Sequence, residues 1–361
     1  MFAEQVIDQE KADAFVGKVF SDSSAAVVTI LAAIGDRLDL FKKLAIRGPS
    51  TSTELAARAG LNERYVREWL GAMSSAGYVD YDPTSRRFTL PPEHVPALAQ
   101  ERGPVFFGGV QQQLLGMLKP LDQVIEAFRH GGGVPQSAYD EDMWEGLERS
   151  SAGWFDNFLI QQWVPAMPEV QTMLERGALV ADVGCGRGRA LVKLAEAFPR
   201  SRFVGYDAFA PTIARATENA ASAGVSERVR FEYRDVSLGL PEQYDIVTTF
   251  DVVHDAVDPL GLVRSIREAL KPGGRYVCLD INCSDKLEEN AGPLGAMFQC
   301  VSILYCMTTS LAHDGEGLGT VGLPESKLRE LCDEAGFGDL RKVPLEDPFN
   351  SLYEVALPRG I

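Results

Sequence analysis

From Leu179 onward, short apolar runs alternate with segments of helical period: "LVADVG", "RFVGYD", "VRFEYRD", "YDIVTTFD" and "RYVCLDI". Residues 188–198, 211–223 and 259–271 between them repeat apolar positions at three and four. Near-continuous apolar strands with intervening helices predict a parallel, doubly wound α/β sheet buried on both faces. The last of these helices starts from Asp258 as N-cap with Pro259 at its first position, and stops before "KPGG". A late helix, "PESKLRELCDEAGF", is stopped by Gly336 and followed by strands around 340–346 and 351–357.

Upstream the period is helical throughout. Residues 1–47 read as helices. A short helix capped near Thr51–Thr53 follows, then a turn at Gly60, a helix to Ala76 and two strands, "YVDY" and "RFTL". Helix, turn, helix and β-wing make a winged helix-turn-helix. Residues 96–175 are helical with breaks around "RHGGGVP", and "WFDNFLIQQWVPAM" sets Trp154, Phe155, Phe158 and Trp163 at helical spacing. Such a stripe is either core or the wall of a ligand pocket. The expected division is a helical winged-helix domain over 1–97, a helical connector over 98–175 and an α/β domain over 176–361.

Charge narrows what the winged helix does. Residues 1–95 carry eleven Lys and Arg against thirteen Asp and Glu, a net of −2, and the candidate recognition helix carries Glu63 and Glu68. The whole chain has a formal charge of −16. A DNA reader needs a basic footprint, so the module is expected to pack or dimerise, with nucleic acid and anionic membrane excluded as default partners. The uncharged stretch from Asn290 to Ala312 is long enough to span a bilayer. Its polar residues, and the α/β pattern continuing beyond it, favour a buried helix. The N-terminus lacks the basic and apolar regions of a secretory signal, and the six cysteines lack zinc-site spacing; reduced thiols and a cytoplasmic location are expected.

The first strand of the sheet runs into "VADVGCGRGRAL", where Gly184, Gly186 and Gly188 open a helix. This is where a doubly wound fold holds a nucleotide. The spacing is GxGxG, not the GxGxxG of dinucleotide folds, which disfavours an NAD-linked oxidoreductase. Asp207, 19 residues after Gly188, ends the second strand and can accept from ribose hydroxyls. Asp235 ends the third and can accept from an exocyclic adenine amine, with Val236 beside it. Each acid alone could be a strand-end cap; together they place backbone, ribose and base contacts on one sheet edge.

In order and spacing, "VADVGCGRGR", "VGYD", "YRDV", "FDVVHDAVDP" and "LKPGG" resemble the motifs of class I S-adenosylmethionine-dependent methyltransferases. The preceding winged helix resembles the N-terminal module of two-domain enzymes that methylate small-molecule hydroxyls. The resemblance implies a Rossmann-like seven-stranded sheet, with "SLYEVAL" supplying an antiparallel last strand. It implies that Asp182, Gly184, Gly186 and Gly188 shape the methionine and ribose side of the S-adenosyl-L-methionine site, S-adenosyl-L-homocysteine being the product. Asp207 would hold the ribose, Asp235 and Val236 the adenine, and Asp251 would line the same edge. It also implies a homodimer and a small-molecule acceptor.

A hydroxyl nucleophile must lose a proton, and a base in hydrogen-bond reach supplies about 10²–10⁴ in rate. "VVHDAVD" matches the His-Asp motif of the relatives at His254 and Asp255, with Ala256 where they have Trp. His254 is therefore the candidate general base, substrate positioning being the other reading. The insertion 283–322 reads as a lid whose apolar character implies an apolar or aromatic acceptor or a small thiol; Phe298 and Tyr305, with Trp154 and Phe158, are its candidate pocket residues. Cys300 and Cys306 are expected in its core and His313 in solvent. No metal site is expected: Asp251, Asp280 and Asn282 only partly match a magnesium set. Methylation at sulfur or nitrogen, a cofactor-sensing DNA regulator and a non-catalytic scaffold are the alternatives to a hydroxyl acceptor.

Overall fold

The computed structural model describes residues 7–357 in two compact units, one of residues 7–115 and 145–153, the other of 116–144 and 154–357. The stretch 98–175 is therefore not a body of its own; its residues divide between the two.

In the first unit α1 (Gln9–Arg37) and α2 (Leu40–Arg47) are separated at Asp39, which takes a left-handed φ of 56°. Helix α3 (Ser52–Ala59) starts with a capping box. The Glu54 N–H donates to Thr51 Oγ1 at 3.2 Å and the Thr51 N–H to Glu54 Oε2 at 3.0 Å, satisfying two orphan donors. Helix α4 (Glu63–Ser75) leads into the wing, β1 (Asp80–Asp82) paired antiparallel with β2 (Arg87–Thr89). Leu40, Phe41, Leu55, Trp69 and Leu70 fill the core of this unit. The basic residues of α4 are spent within the helix, Arg64 on Glu68 and Arg67 on Glu63. Helix α1 leaves Phe15, Val16, Val19 and Phe20 exposed.

After α5 (Val95–Leu98), α6 (Gly108–Met117) and α7 (Leu121–His130), helix α8 (Glu141–Trp154) passes directly into a π-helical stretch, Phe155–Trp163, and then α9 (Pro168–Arg176). The second unit is built on one sheet. Its strands are β3 (Leu179–Val183), β4 (Arg202–Asp207), β5 (Val229–Tyr233), β6 (Tyr244–Phe250), β7 (Leu270–Ile281), β8 (Leu340–Val343) and β9 (Asn350–Ala356). They lie in the order β5-β4-β3-β6-β7-β9-β8. The first five are parallel; β9 runs antiparallel to β7 and β8, as the terminal "SLYEVAL" implied.

Helices α10 (Arg189–Ala197), α11 (Ala210–Ser222) and α12 (Pro259–Ala269) connect the parallel strands. The start of α12 is as predicted, Asp258 Oδ1 accepting from the Gly261 N–H at 2.7 Å with Pro259 at the first turn. Strand order reverses between β3 and β6, and a doubly wound sheet opens its ligand crevice at such a switch, beyond the carboxyl ends of the strands.

The insertion forms α13 (Pro293–Val301), a π turn Ser302–Cys306 and α14 (Met307–Leu311), followed after a loop by α15 (Glu325–Ala335). It is pinned rather than loose. Ser310 Oγ donates to the Ala256 carbonyl at 3.0 Å, and the N–H groups of Glu316 and Gly319 donate to Val257 and His254 at 3.0 and 3.1 Å. The run Pro293–Leu311 and α1 are each long and apolar enough to cross a membrane; 44% of the first run's apolar window is buried within the protein and none of the second's.

Candidate active site

The turn after β3 is held in a shape that only glycine tolerates cheaply. Gly184 and Gly188 have φ of 68° and 77°. A Cβ on Gly184 would collide with Val252, and one on Gly188 with the ring of Phe231. Gly186, at φ 51°, has open space where its Cβ would stand. Asp207 knits this turn to the end of β4, accepting from the Gly186 N–H at 2.9 Å and the Phe209 N–H at 2.8 Å. Burial raises the Asp207 pKa, against the pull of those two donors. Each carboxylate oxygen keeps a second lone pair, so a ribose diol can still be held. An open backbone turn joined to a half-buried strand-end acid fits an S-adenosyl group.

The other residues expected at the cofactor have partners of their own. Asp182 is buried on β3 and accepts from Thr248 Oγ1 of β6 at 2.7 Å; burial pushes its pKa up to about 7. Asp235 is exposed and caps a short 3-10 turn, its Oδ1 accepting from the Ser237 N–H and Oγ at 3.0 and 2.7 Å. Val236 is half-buried against the core beneath that turn. Asp251, in the left-handed region at φ 55°, accepts from Asn350 Nδ2 at 2.5 Å. Burial, then the charge of Asp280, push its pKa up to about 8.

His254 sits past the end of β6 in a single 3-10 turn, Val253–Asp255, and is 3% exposed. Its Nδ1 lies 2.6 Å from Oδ1 of Asp280, near the end of β7, and its Nε2 lies 3.2 Å from Oδ1 of Asp255. The parallel register that sets Phe250 beside Leu279 brings the His254 turn next to Asp280. Burial opposes a charge on the imidazole, but Asp280 and Asp255 outweigh it and hold the pKa well above its ordinary value. With Nδ1 bonded to a carboxylate, the proton of a neutral imidazole stays on Nδ1 and the lone pair is left on Nε2. Cys306, from the π turn, completes the surroundings of that nitrogen; one donor atom each of His254, Asp255 and Cys306 lie within 4.8 Å of one another.

Among the histidines only His254 is buried; His313 is exposed, as expected. The cysteines are all free. Cys306 is buried but Cys300 is exposed, correcting the expectation that both lie in the core. Six residues of helix turn a side chain by about 240°, so the two cannot share a face.

The aromatic residues expected in a pocket fall into separate groups. Trp154 and Phe298 flank Phe349, with ring centroids 6.2 and 6.5 Å away. Phe158 instead packs near Trp163 against the core. Tyr305 is buried between Tyr139 and Trp144, centroids 5.3 and 6.1 Å away, and Trp144 lies over Phe209 just beyond the glycine-turn acid. The sequence reading missed Tyr139, Trp144, Phe209, Asn350 and Phe349. A small cavity lined by Leu159, Trp163, Met167 and Phe250 holds Trp163 alone of the aromatic stripe and is a core void.

Residues 26–100 match the Rv2258c-like winged HTH domain, and residues 174–321 match a methyltransferase domain. The chain is 32% identical over 112 residues to the ubiquinone biosynthesis O-methyltransferase of Ruegeria pomeroyi, a match covering 30% of this chain and 44% of that protein. The match thus spans less than half the length of that relative. An O-methyltransferase family protein from Burkholderia thailandensis has a similar fold, with a TM-score of 0.72 at 16% identity over 96% of this chain and 99% of that one. Human N-acetylserotonin methyltransferase, solved in complex with SAM, gives 0.70 at 14% identity over 99% and 100%. The chain joins a segment that matches a winged helix-turn-helix domain to one that matches a methyltransferase domain, and its fold is similar to that of solved methyltransferases.

Proposed function

We propose that the chain methylates a hydroxyl of a small apolar or aromatic acceptor, with His254 as general base and Asp280 fixing its orientation. The observation that carries this reading is the 2.6 Å contact between His254 Nδ1 and Asp280, at the sheet edge that also bears the glycine turn. The turn Gly184–Gly188 and Asp207 would hold S-adenosylmethionine, which supplies a methyl group already activated on a sulfonium. The protein has then to orient the acceptor, exclude water and receive one proton.

That proton goes to Nε2 of His254. Asp280 holds the ring and stabilises the imidazolium that results, without taking the proton itself. The raised pKa makes the neutral ring a stronger acceptor, though a rarer one near neutral pH. Because His254 is buried under the Ser302–Cys306 turn, acceptor entry requires that turn to shift; π-helical turns recur at functional sites. Tyr139, Trp144 and Tyr305 offer the acceptor an aromatic wall.

The exposed apolar residues of α1 support a homodimer, and the paired charges of α4 argue against a DNA-reading role. The test is a screen of phenols, thiols and amines with S-adenosylmethionine, following S-adenosylhomocysteine formation by chromatography. Transfer to phenols that collapses in His254→Gln supports the proposal. Transfer confined to thiols or amines, or unaffected by that substitution, overturns the hydroxyl and base assignments respectively.

A further inference from the structure

The turn Asp251–Asp255 and its partners Asp280 and Asn350 hold buried acceptor atoms that no donor fills. Buried Oδ1 of Asp255, Oδ2 of Asp280 and Oδ1 of Asn350 make no hydrogen bond. A buried orphan acceptor costs on the order of 1–3 kcal/mol and calls for an explanation. The thiol of Cys306 lies beside the first of them, in reach of both Asp255 and His254.

We infer that His254 Nε2, the Asp255 carboxylate and the Cys306 thiolate form a binding site for zinc(II). Imidazole, thiolate and carboxylate are the donor set that zinc takes, and three protein donors leave its fourth position open. Tetrahedral bonds of about 2.0–2.3 Å set donors roughly 3.3–3.8 Å apart. The present separations, all within 4.8 Å, require each donor to close by about 1 Å at most. Asp280 already grips the far nitrogen of His254, the carboxylate–histidine arrangement that orients a metal-bound imidazole. Charge closes as well. Zinc(II) displaces the thiol proton and the Nε2 proton of the charged imidazole to solvent, and the thiolate and the Asp255 carboxylate then neutralise the ion. The magnesium-type set Asp251, Asp280 and Asn282 is different and contributes only Asp280, outside the coordination shell.

The consequence rests on the proposed base role: zinc and the acceptor proton compete for the same lone pair, so the ion inhibits methyl transfer. Binding itself is tested without turnover. The full chain, freed of metal with a chelator, is titrated with cobalt(II) alone and followed by absorption. One equivalent is expected to give sulfur-to-cobalt charge transfer in the near ultraviolet and tetrahedral bands in the visible, displaced by zinc(II). Cys300→Ser, which removes the exposed thiol, retains the signal. Cys306→Ser abolishes the charge-transfer band, and Asp255→Asn, which removes a ligand, weakens binding by at least the about 10–100-fold that loss of an outer-shell partner costs. Absence of stoichiometric binding, or a charge-transfer band that survives Cys306→Ser, overturns the site. Zinc that binds without slowing methyl transfer leaves the site standing and removes the base assignment, so the two failures are distinct.

Discussion

The Nδ1 atom of His254 stands 2.6 Å from Oδ1 of Asp280, joining the turn after β6 to the end of β7 across 26 residues of sequence. If His254 receives the acceptor proton, His254→Gln lowers kcat by about 10²–10⁴ while S-adenosylmethionine affinity stays within about threefold. Asp280→Asn keeps the ring in place but loses the charge that stabilises imidazolium, so kcat falls while KM for the acceptor changes little. Steady-state kinetics with cofactor affinity measured by calorimetry separate these outcomes. A loss that appears only in cofactor binding contradicts both roles.

The glycines of the turn after β3 are not equivalent. An alanine at Gly188 must accept φ 77° and collide with Phe231, whereas one at Gly186 meets open space and carries only the backbone cost at φ 51°. Gly186→Ala is expected to cost about 1 kcal/mol of stability, and Gly188→Ala about 1–3 kcal/mol more, through overpacking. Urea denaturation of the two variants reads the difference directly. Equal losses would mean that the Phe231 ring moves aside freely.

These relationships differ in how far the sequence disclosed them. The glycine turn and Asp207 were legible because their spacing follows from one βαβ unit, and Gly186–Asp207 is the contact that unit makes. The seven strands were legible because runs such as "YDIVTTF" are apolar on both faces. The partnership of His254 with Asp280 was not, since it depends on the register of β6 against β7. Nor was the split between Cys300 and Cys306, which α13 and its π turn decide by rotation. Asp182 reads as a cofactor residue in the motif; that its carboxylate also accepts from Thr248, across 66 residues of sequence, was not legible. Helical period likewise shows that 98–175 is helical but not which core each helix joins.

Helix α1 presents Phe15, Val16, Val19 and Phe20 to solvent along one stretch of its length. Exposed apolar area of this kind marks an association surface, and a second copy of the chain is the occupant expected here. Wild type is expected to sediment as a dimer at micromolar concentration, and a Phe15→Asp/Phe20→Asp double variant as a monomer. Equilibrium ultracentrifugation checks it. An unchanged dimer would move the interface off α1, and a monomeric wild type would remove it.

The buried acid of β3 sets a pH dependence whose sign can be worked out. Asp182 has its pKa pushed up to about 7 in the folded chain, by burial first, with Thr248 acting the other way and Asp207 adding to the rise. An unfolded aspartate titrates near ~3.9, so between about pH 4 and 7 the folded state binds the extra proton. Its contribution is fully present below the unfolded pKa and is lost as pH rises through the folded one. In Asp182→Asn the side chain stays neutral throughout and can still accept from Thr248. The variant therefore gains on wild type by up to about 1.4 kcal/mol per pH unit across that window, and the gap levels off above it. Paired urea melts at pH 5, 6, 7 and 8 without cofactor read the gap, and the nearby Asp207, common to both proteins, largely cancels. Parallel stability curves would show that Asp182 stays ionised in the folded chain, held by Thr248 strongly enough to overcome its burial.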